Sequence, residues 1–279
     1  MITNQRQDMC LKTVIETKDA IDKQIADATI NMIFGLRLDN IVFRDKKIWE
    51  DYFGKVLNLT KNFLKANEHY RKYLAEEKRF LLDYKEKCLK DGNTNIFLAT
   101  DSVGLNTEID GFFSQIKSGI DTLATSFNPL LGSSFDGWHK TKNKEGILKS
   151  GLRIINFLEN FGEPLKSKVD GLKKIIQDNI DWLTYIVSIR DKIHHRGGLK
   201  NITEITYDFR NKEVIPQNII HPEGKELVRD FLLRTLNNTI IFVNAVLALS
   251  ILIKTPSGMG IQKNDKDEFP PYMWVAFNT

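Results

Sequence analysis

Apolar residues at Val14, Ile21, Ile25, Ala28 and Met32 recur at intervals of seven, four, three and four. That spacing predicts one amphipathic helix from about Gln5 to Leu36. A second stripe runs through Trp49, Phe53, Val56, Phe63, Tyr70, Leu74, Leu81 and Tyr84, with charges such as Glu76, Glu77 and Lys78 between. It fits either one long helix or a helical hairpin, stopping near the turn signal Asp91-Gly92-Asn93. Ile109, Phe112, Phe113, Ile116, Ile120, Leu123 and Phe127 form a third stripe, from Thr107 to a break at Asn128-Pro129. No proline precedes Pro129, so the strongest helix breaker is absent from the first part of the chain, which reads as helical.

Beyond Pro129 the pattern is more varied. Residues 131–146, LGSSFDGWHKTKNKEG, read as a polar loop, followed by a short helix from about Glu145 to Asn160 that breaks around Gly162-Glu163-Pro164. Val169, Leu172, Ile175, Ile176, Ile180, Leu183, Val187 and Ile189 pattern a single helix from about Leu165 to Arg196, with Gly197-Gly198 as its C-cap signal. The segments ITEITYDF and KEVIPQNII flank Arg210-Asn211 as a two-stranded hairpin, with Pro216 suited to an edge. A terminal helix, about Glu223 to Lys254, is apolar on nearly every side after Leu236, as a central core element is. From Thr255 the Gly/Pro-punctuated sequence reads as irregular.

These elements predict an all-α protein. Residues 1–95 form an N-terminal helical region, 96–255 a helical bundle with a small β-hairpin insertion at about 200–220, and 256–279 an irregular tail. Composition agrees with a globular chain: of 279 residues, 42% are hydrophobic and 27% charged. Cys10 and Cys88 are too few for a disulfide framework, and no secretory pattern opens the sequence, so a cytoplasmic protein is expected. The most apolar stretch, Thr239 to Ile253, has 15 residues and contains Asn244 and Ser250, which favours a buried core helix over a membrane span. A net charge of +4 permits a polyanionic partner without requiring one.

Candidate chemistry concentrates where one helix ends. Arg190, Asp191, Lys192, His194, His195 and Arg196 follow a mostly apolar segment directly. Basic side chains in a last helical turn favour the negative end of the macrodipole, a purely structural role. The same residues also meet the needs of RNA cleavage without a metal. An imidazole of His194 or His195 can move a proton, and the planar fork of Arg190 matches phosphate oxygens.

In this segment the sequence resembles the HEPN superfamily of all-helical ribonucleases and RNA-binding proteins, whose signature is R-x4-6-H with a polar residue after the arginine. Arg190-Asp191-Lys192-Ile193-His194-His195 fits as R-D-x-x-x-H, at the end of a long helix and before a glycine turn and a final apolar helix. The likeness covers about Ile96 to Lys254. It implies a HEPN-like helical bundle in which two protomers face each other and both motifs line one cleft. It also implies Arg190 and His195 as the catalytic pair and Asp191 as the accompanying polar position. Lys192, His194, Arg196 and Lys200 would then approach the RNA backbone. A metal-independent endoribonuclease of a defence or toxin system, a homodimer with an antitoxin or other protein partner, is the function this implies. The alternative is a non-catalytic helical module binding RNA, a nucleotide or a protein. One geometrical tension is already visible: at 3.6 residues per turn Arg190 shares a face with His194 more closely than with His195, unless the helix unwinds before Gly197.

Other chemistries lack their signatures. There is no H-E-x-x-H, C-x-x-C, P-loop, G-x-G-x-x-G or G-x-S-x-G, so no metal or cofactor is expected. His194 and His195 with the distant His221 make a poor metal set, since adjacent helical positions point apart. Trp138 in the polar loop is a candidate base-stacking side chain, with His139 a surface residue beside it.

Overall fold

The computed structural model describes residues 19–90, 103–163, 165–196, 202–203, 205–208, 213–264 and 271–276, apart from the side chains of 40, 89, 90 and 193–196. Asp91-Gly92-Asn93, the Gly197-Gly198 cap and the Arg210-Asn211 turn lie outside them. The fold is mainly helical. In chain order the helices are α1 (Ala20–Ala28), α2 (Ile30–Gly35), α3 (Leu38–Ile41), α4 (Lys46–Lys90), α5 (Val103–Leu131), α6 (Leu152–Leu158), α7 (Lys166–Asp178), α8 (Ile180–Arg196) and α9 (Val228–Lys254). Among the described residues, four antiparallel hairpins interleave with them. These are β1 (Lys140–Lys142) with β2 (Leu148–Ser150), β3 (Thr206–Asp208) with β4 (Glu213–Ile215), β5 (Asn218–His221) with β6 (Gly224–Leu227), and β7 (Met259–Lys263) with β8 (Tyr272–Ala276).

The second apolar stripe is one helix of 45 residues, not a hairpin of two. The first stripe is broken, however. Thr29, at φ −130° and ψ −97°, separates α1 from α2, and residues 5–18 of the expected helix lie outside the described ones. The buried Thr29 hydroxyl donates to the Ile25 carbonyl (2.6 Å) and meets the Thr60 hydroxyl of α4 at 2.8 Å. A tertiary contact therefore fixes a break that local spacing does not announce. Asn179 likewise splits the expected 165–196 helix into α7 and α8, its amide donating to Ile175 O at 2.9 Å. Helix α5, by contrast, outruns its forecast stop. Pro129 sits inside its last turn, and the helix ends at Leu131 with Gly132 at φ +73°, a backbone suited to glycine. The Asn128 side chain clasps the exit, bonding both Phe135 N and Phe135 O at 2.7 Å.

The expected helix from Glu145 is shorter, because 148–150 pair as a strand and α6 begins only at Leu152. Strand β6 similarly takes the first residues assigned above to the terminal helix. The tail is not irregular: β7 and β8 pair from Met259↔Ala276 to Lys263↔Tyr272. Two orphan helix-end carbonyls explain its docking. Trp274 Nε1 donates to Leu36 O (2.6 Å), while Tyr272 OH donates to Asn244 Oδ1 (3.0 Å), and Asn244 Nδ2 reaches Ala28 O (3.3 Å).

The chain divides into two compact units, and both draw residues from either side of position 95. The first comprises Met1–Leu64, Ile116–Val187 and Asn238–Thr279; the second comprises Lys65–Gln115 and Ser188–Asn237. In the first, Ile25, Ile30, Met32, Tyr52, Phe63, Phe127 and Phe242 are buried, and Trp138 packs edge-on against Phe242 at 5.6 Å. Trp138 has no exposed surface, so it does not serve as a stacking platform for bases. In the second unit, Phe113 meets Phe231 at 6.1 Å, and His69 on α4 pairs with Glu108 on α5 at 2.7 Å. A Cβ at Gly111 would collide with the His69 ring, so glycine allows that approach of α5 to α4.

Helix α9 is long and apolar enough to cross a membrane by length and composition, with mean hydropathy 2.0 over its most apolar 18 residues; 56% of that window is buried in the protein. Phe242, Val243, Val246, Leu247 and Ile251 are buried, whereas Ile241 is 69% exposed.

Candidate functional site

Helix α8 forms because Leu183, Ile186, Val187 and Ile189 supply a buried side, and Asp181 lies in its first turn, where negative charge suits the macrodipole. After Ile189 the pattern changes abruptly. Arg190 and Asp191 are half-buried and Lys192 is exposed, all in the second unit. Burial of the preceding turn therefore anchors a charged turn at the protein surface.

The pairing that Arg190 makes among the described residues is one contact of 3.6 Å from Nη1 to Asp191 Oδ1. That is too long for a hydrogen bond, and neighbours in sequence do not face each other on a helix. With its side chain 35% exposed, the guanidinium keeps donors for an anion.

The backbone is helical through Arg196, so the helix does not unwind before Gly197 to bring position 195 round toward 190. Position 194 lies about 40° around the axis from 190, and position 195 about 140°. The structure brings Arg190 and Asp191 together on the described surface; the side chains of His194, His195 and Arg196, and all of Lys200, fall outside what is described.

No family model, curated protein or solved structure matches this chain.

Two histidine-containing groupings of the second unit have no signal in the sequence, because each joins residues far apart in the chain or on separate strands. One is the His69–Glu108 pair. The other is centred on His221, whose side chain is 7% exposed and whose Nε2 lies 2.9 Å from Glu226 Oε1. His221 Nδ1 accepts from the Glu223 N–H at 3.3 Å, which leaves the ring proton on Nε2, donated to the carboxylate. Arg234 completes the group, bonding Glu226 and Glu223 and lying over the Phe231 ring at 5.3 Å, against which the His221 ring also stacks at 5.4 Å. Both nitrogens of His221 are thus engaged, which removes it from any metal set with the helix-end histidines. Glu77 is another buried acid of this unit, 3.5 Å from Arg229 and within 3.3 Å of Tyr73 OH. Burial pushes its carboxyl above the usual range, with the Arg229 charge opposing in part. Burial likewise raises the phenol of Tyr73.

Proposed function

We propose that this chain is a metal-independent endoribonuclease of the HEPN type: a HEPN-like bundle that works in the cytoplasm as a homodimer, in a defence or toxin system with an antitoxin or another protein as partner. The ribose 2′-oxygen attacks the adjacent phosphorus and the 5′-oxygen leaves. An imidazole, His195 by the family pattern, takes the 2′ proton or returns one to the leaving oxygen. Arg190 holds the negative charge that develops on the phosphoryl oxygens, with Asp191 as the accompanying polar position of the family pattern. Lys192, His194, Arg196 and Lys200 draw in the strand. A second copy supplies the second imidazole that separate acid and base roles require.

The observation that carries this reading is the state of Arg190. It stands at the surface on a helix held by a buried turn, with a guanidinium not committed to a close ion pair among the described residues.

A second reading has its own support. The unbroken helix through Arg196 sets position 195 well away from 190, as a helix-capping basic cluster on a non-catalytic binding module would have it. One assay separates the two. Purified protein should cleave single-stranded RNA in the presence of EDTA, with a loss of about 10²–10⁴-fold in the essential histidine variant. If the family register holds, that variant is His195→Ala; if helix geometry decides, it is His194→Ala. RNA that is bound but never cut, across varied substrates, supports the binding module.

A further inference from the structure

Within the first unit a shallow cleft of about 320 Å³ opens between the loop after α5 and the side of α6. Arg153, Asn156, Phe157 and Asn160 line it, at the three- and four-residue spacing that shares one side of a helix and its following turn. Ile154, Ile155 and Leu158 are buried, so α6 is anchored independently of this side.

Arg153 is held firmly yet left open. Its Nη1 donates to Asp136 Oδ1 at 2.7 Å and its Nη2 to Ser134 O at 3.3 Å, and its guanidinium carbon lies 5.6 Å from the Phe135 ring centre. Its side chain is nonetheless 47% exposed. The Asp136 carboxyl is kept below its ordinary range by a backbone N–H and by Arg153, so it stays ionised as an anchor. Phe157 is fixed edge-to-face between Phe135 (5.3 Å) and Phe161 (5.4 Å). Asn160 Nδ2 donates to Asn156 O at 3.3 Å, which leaves its amide oxygen available as an acceptor.

A fixed guanidinium, a fixed aromatic ring and two carboxamides match a ligand that is anionic at one end and planar with a hydrogen-bonding edge at the other. The volume falls at the small-ligand end of binding pockets. We propose that this cleft binds one nucleotide unit, with its base against Phe157, its edge read by Asn156 and Asn160, and its phosphate on Arg153. The unit comes either as a free mononucleotide or as one residue of a single-stranded RNA; the strand source rests on the RNA-cleaving reading above.

The test uses the full chain, titrated calorimetrically with AMP, GMP, CMP and UMP, and by fluorescence anisotropy with a labelled single-stranded RNA. Arg153→Gln should weaken the bound species at least about tenfold, the usual result of losing a charge-assisted hydrogen bond, and Asn160→Ala should weaken it several-fold. Melting temperatures confirm that each variant is folded. Mononucleotide affinity that falls in both variants while RNA affinity holds assigns the free nucleotide; a fall in RNA affinity assigns the strand. Arg190 does not line this cleft, so Arg190→Ala should bind mononucleotides as the wild type does, and loss of cleavage with that binding intact leaves this site standing. The proposal is overturned if no mononucleotide or strand binds at millimolar concentration, or if binding is indifferent to Asn160→Ala and Arg153→Gln in folded protein.

Discussion

Lys117–Asp121 in the first unit and Arg190–Asp191 in the second each join a lysine or arginine to an aspartate of the same helix, but they are different kinds of object. Lys117 is 8% exposed along its side chain and meets Asp121 at 2.5 Å; the same Asp121 oxygen accepts the Trp138 N–H at 2.7 Å. That pair ties α5 to the loop that delivers Trp138 into the core. Arg190 and Asp191 are adjacent in sequence, 3.6 Å apart and 35% and 30% exposed. Lys117 is the buried partner, so removing Asp121 would strand its charge away from water and should cost stability. A half-buried arginine with one long contact is expected to contribute less to the fold.

Substitutions at each kind of position test this contrast. The largest effect is expected from Val246→Asp on α9, which puts an unpaired charge at a position with no exposed surface. The variant should be unfolded or aggregated by circular dichroism and light scattering; an unchanged melting temperature would place α9 outside the core. Asp121→Ala should cost about 2–3 kcal/mol in denaturant unfolding, below the range for a fully buried pair because Asp121 is 33% exposed. A loss below about 0.5 kcal/mol would reduce this pair to the surface class.

A smaller, pH-dependent effect is expected at Glu77. Burial raises its folded-state pKa, so its contribution to stability is complete below the ordinary carboxylate value and is lost as pH rises through the raised value. Glu77→Gln imitates the protonated form. The difference in melting temperature, variant minus wild type, should therefore become more positive from acid to neutral pH, and a flat difference would refute the assignment.

The sequence made much of the fold legible wherever the information is local. The stripe from Trp49 to Tyr84 lies on α4, and the apolar face of α5 is the one its spacing forecasts. Breaks set by contacts distant in sequence were not legible: Thr29 stops α1 where it meets Thr60, and the terminal hairpin bonds the Leu36 carbonyl, more than two hundred residues earlier in the chain. The site divides in the same way. Arg190 and Asp191 form a contiguous motif that can be read directly. The cleft beside α6 combines residues from a loop and a helix with no shared motif, and the His221 group depends on a hairpin pairing that spacing did not reveal. The burial of Trp138 was not legible, because a large aromatic residue in a polar segment gives no sign that its loop folds inward.

Arg190 is proposed to serve chemistry and not the fold, and one preparation of Arg190→Ala tests this. Its melting temperature should stay within about 2 °C of wild type, as for a half-buried residue with one long contact whose loss costs less than about 0.5 kcal/mol. RNA cleavage in EDTA, measured on the same sample, should fall by at least about 100-fold, as expected when a clamp on transition-state charge is removed. A variant that melts several degrees lower, or that cleaves at the wild-type rate, would contradict the account.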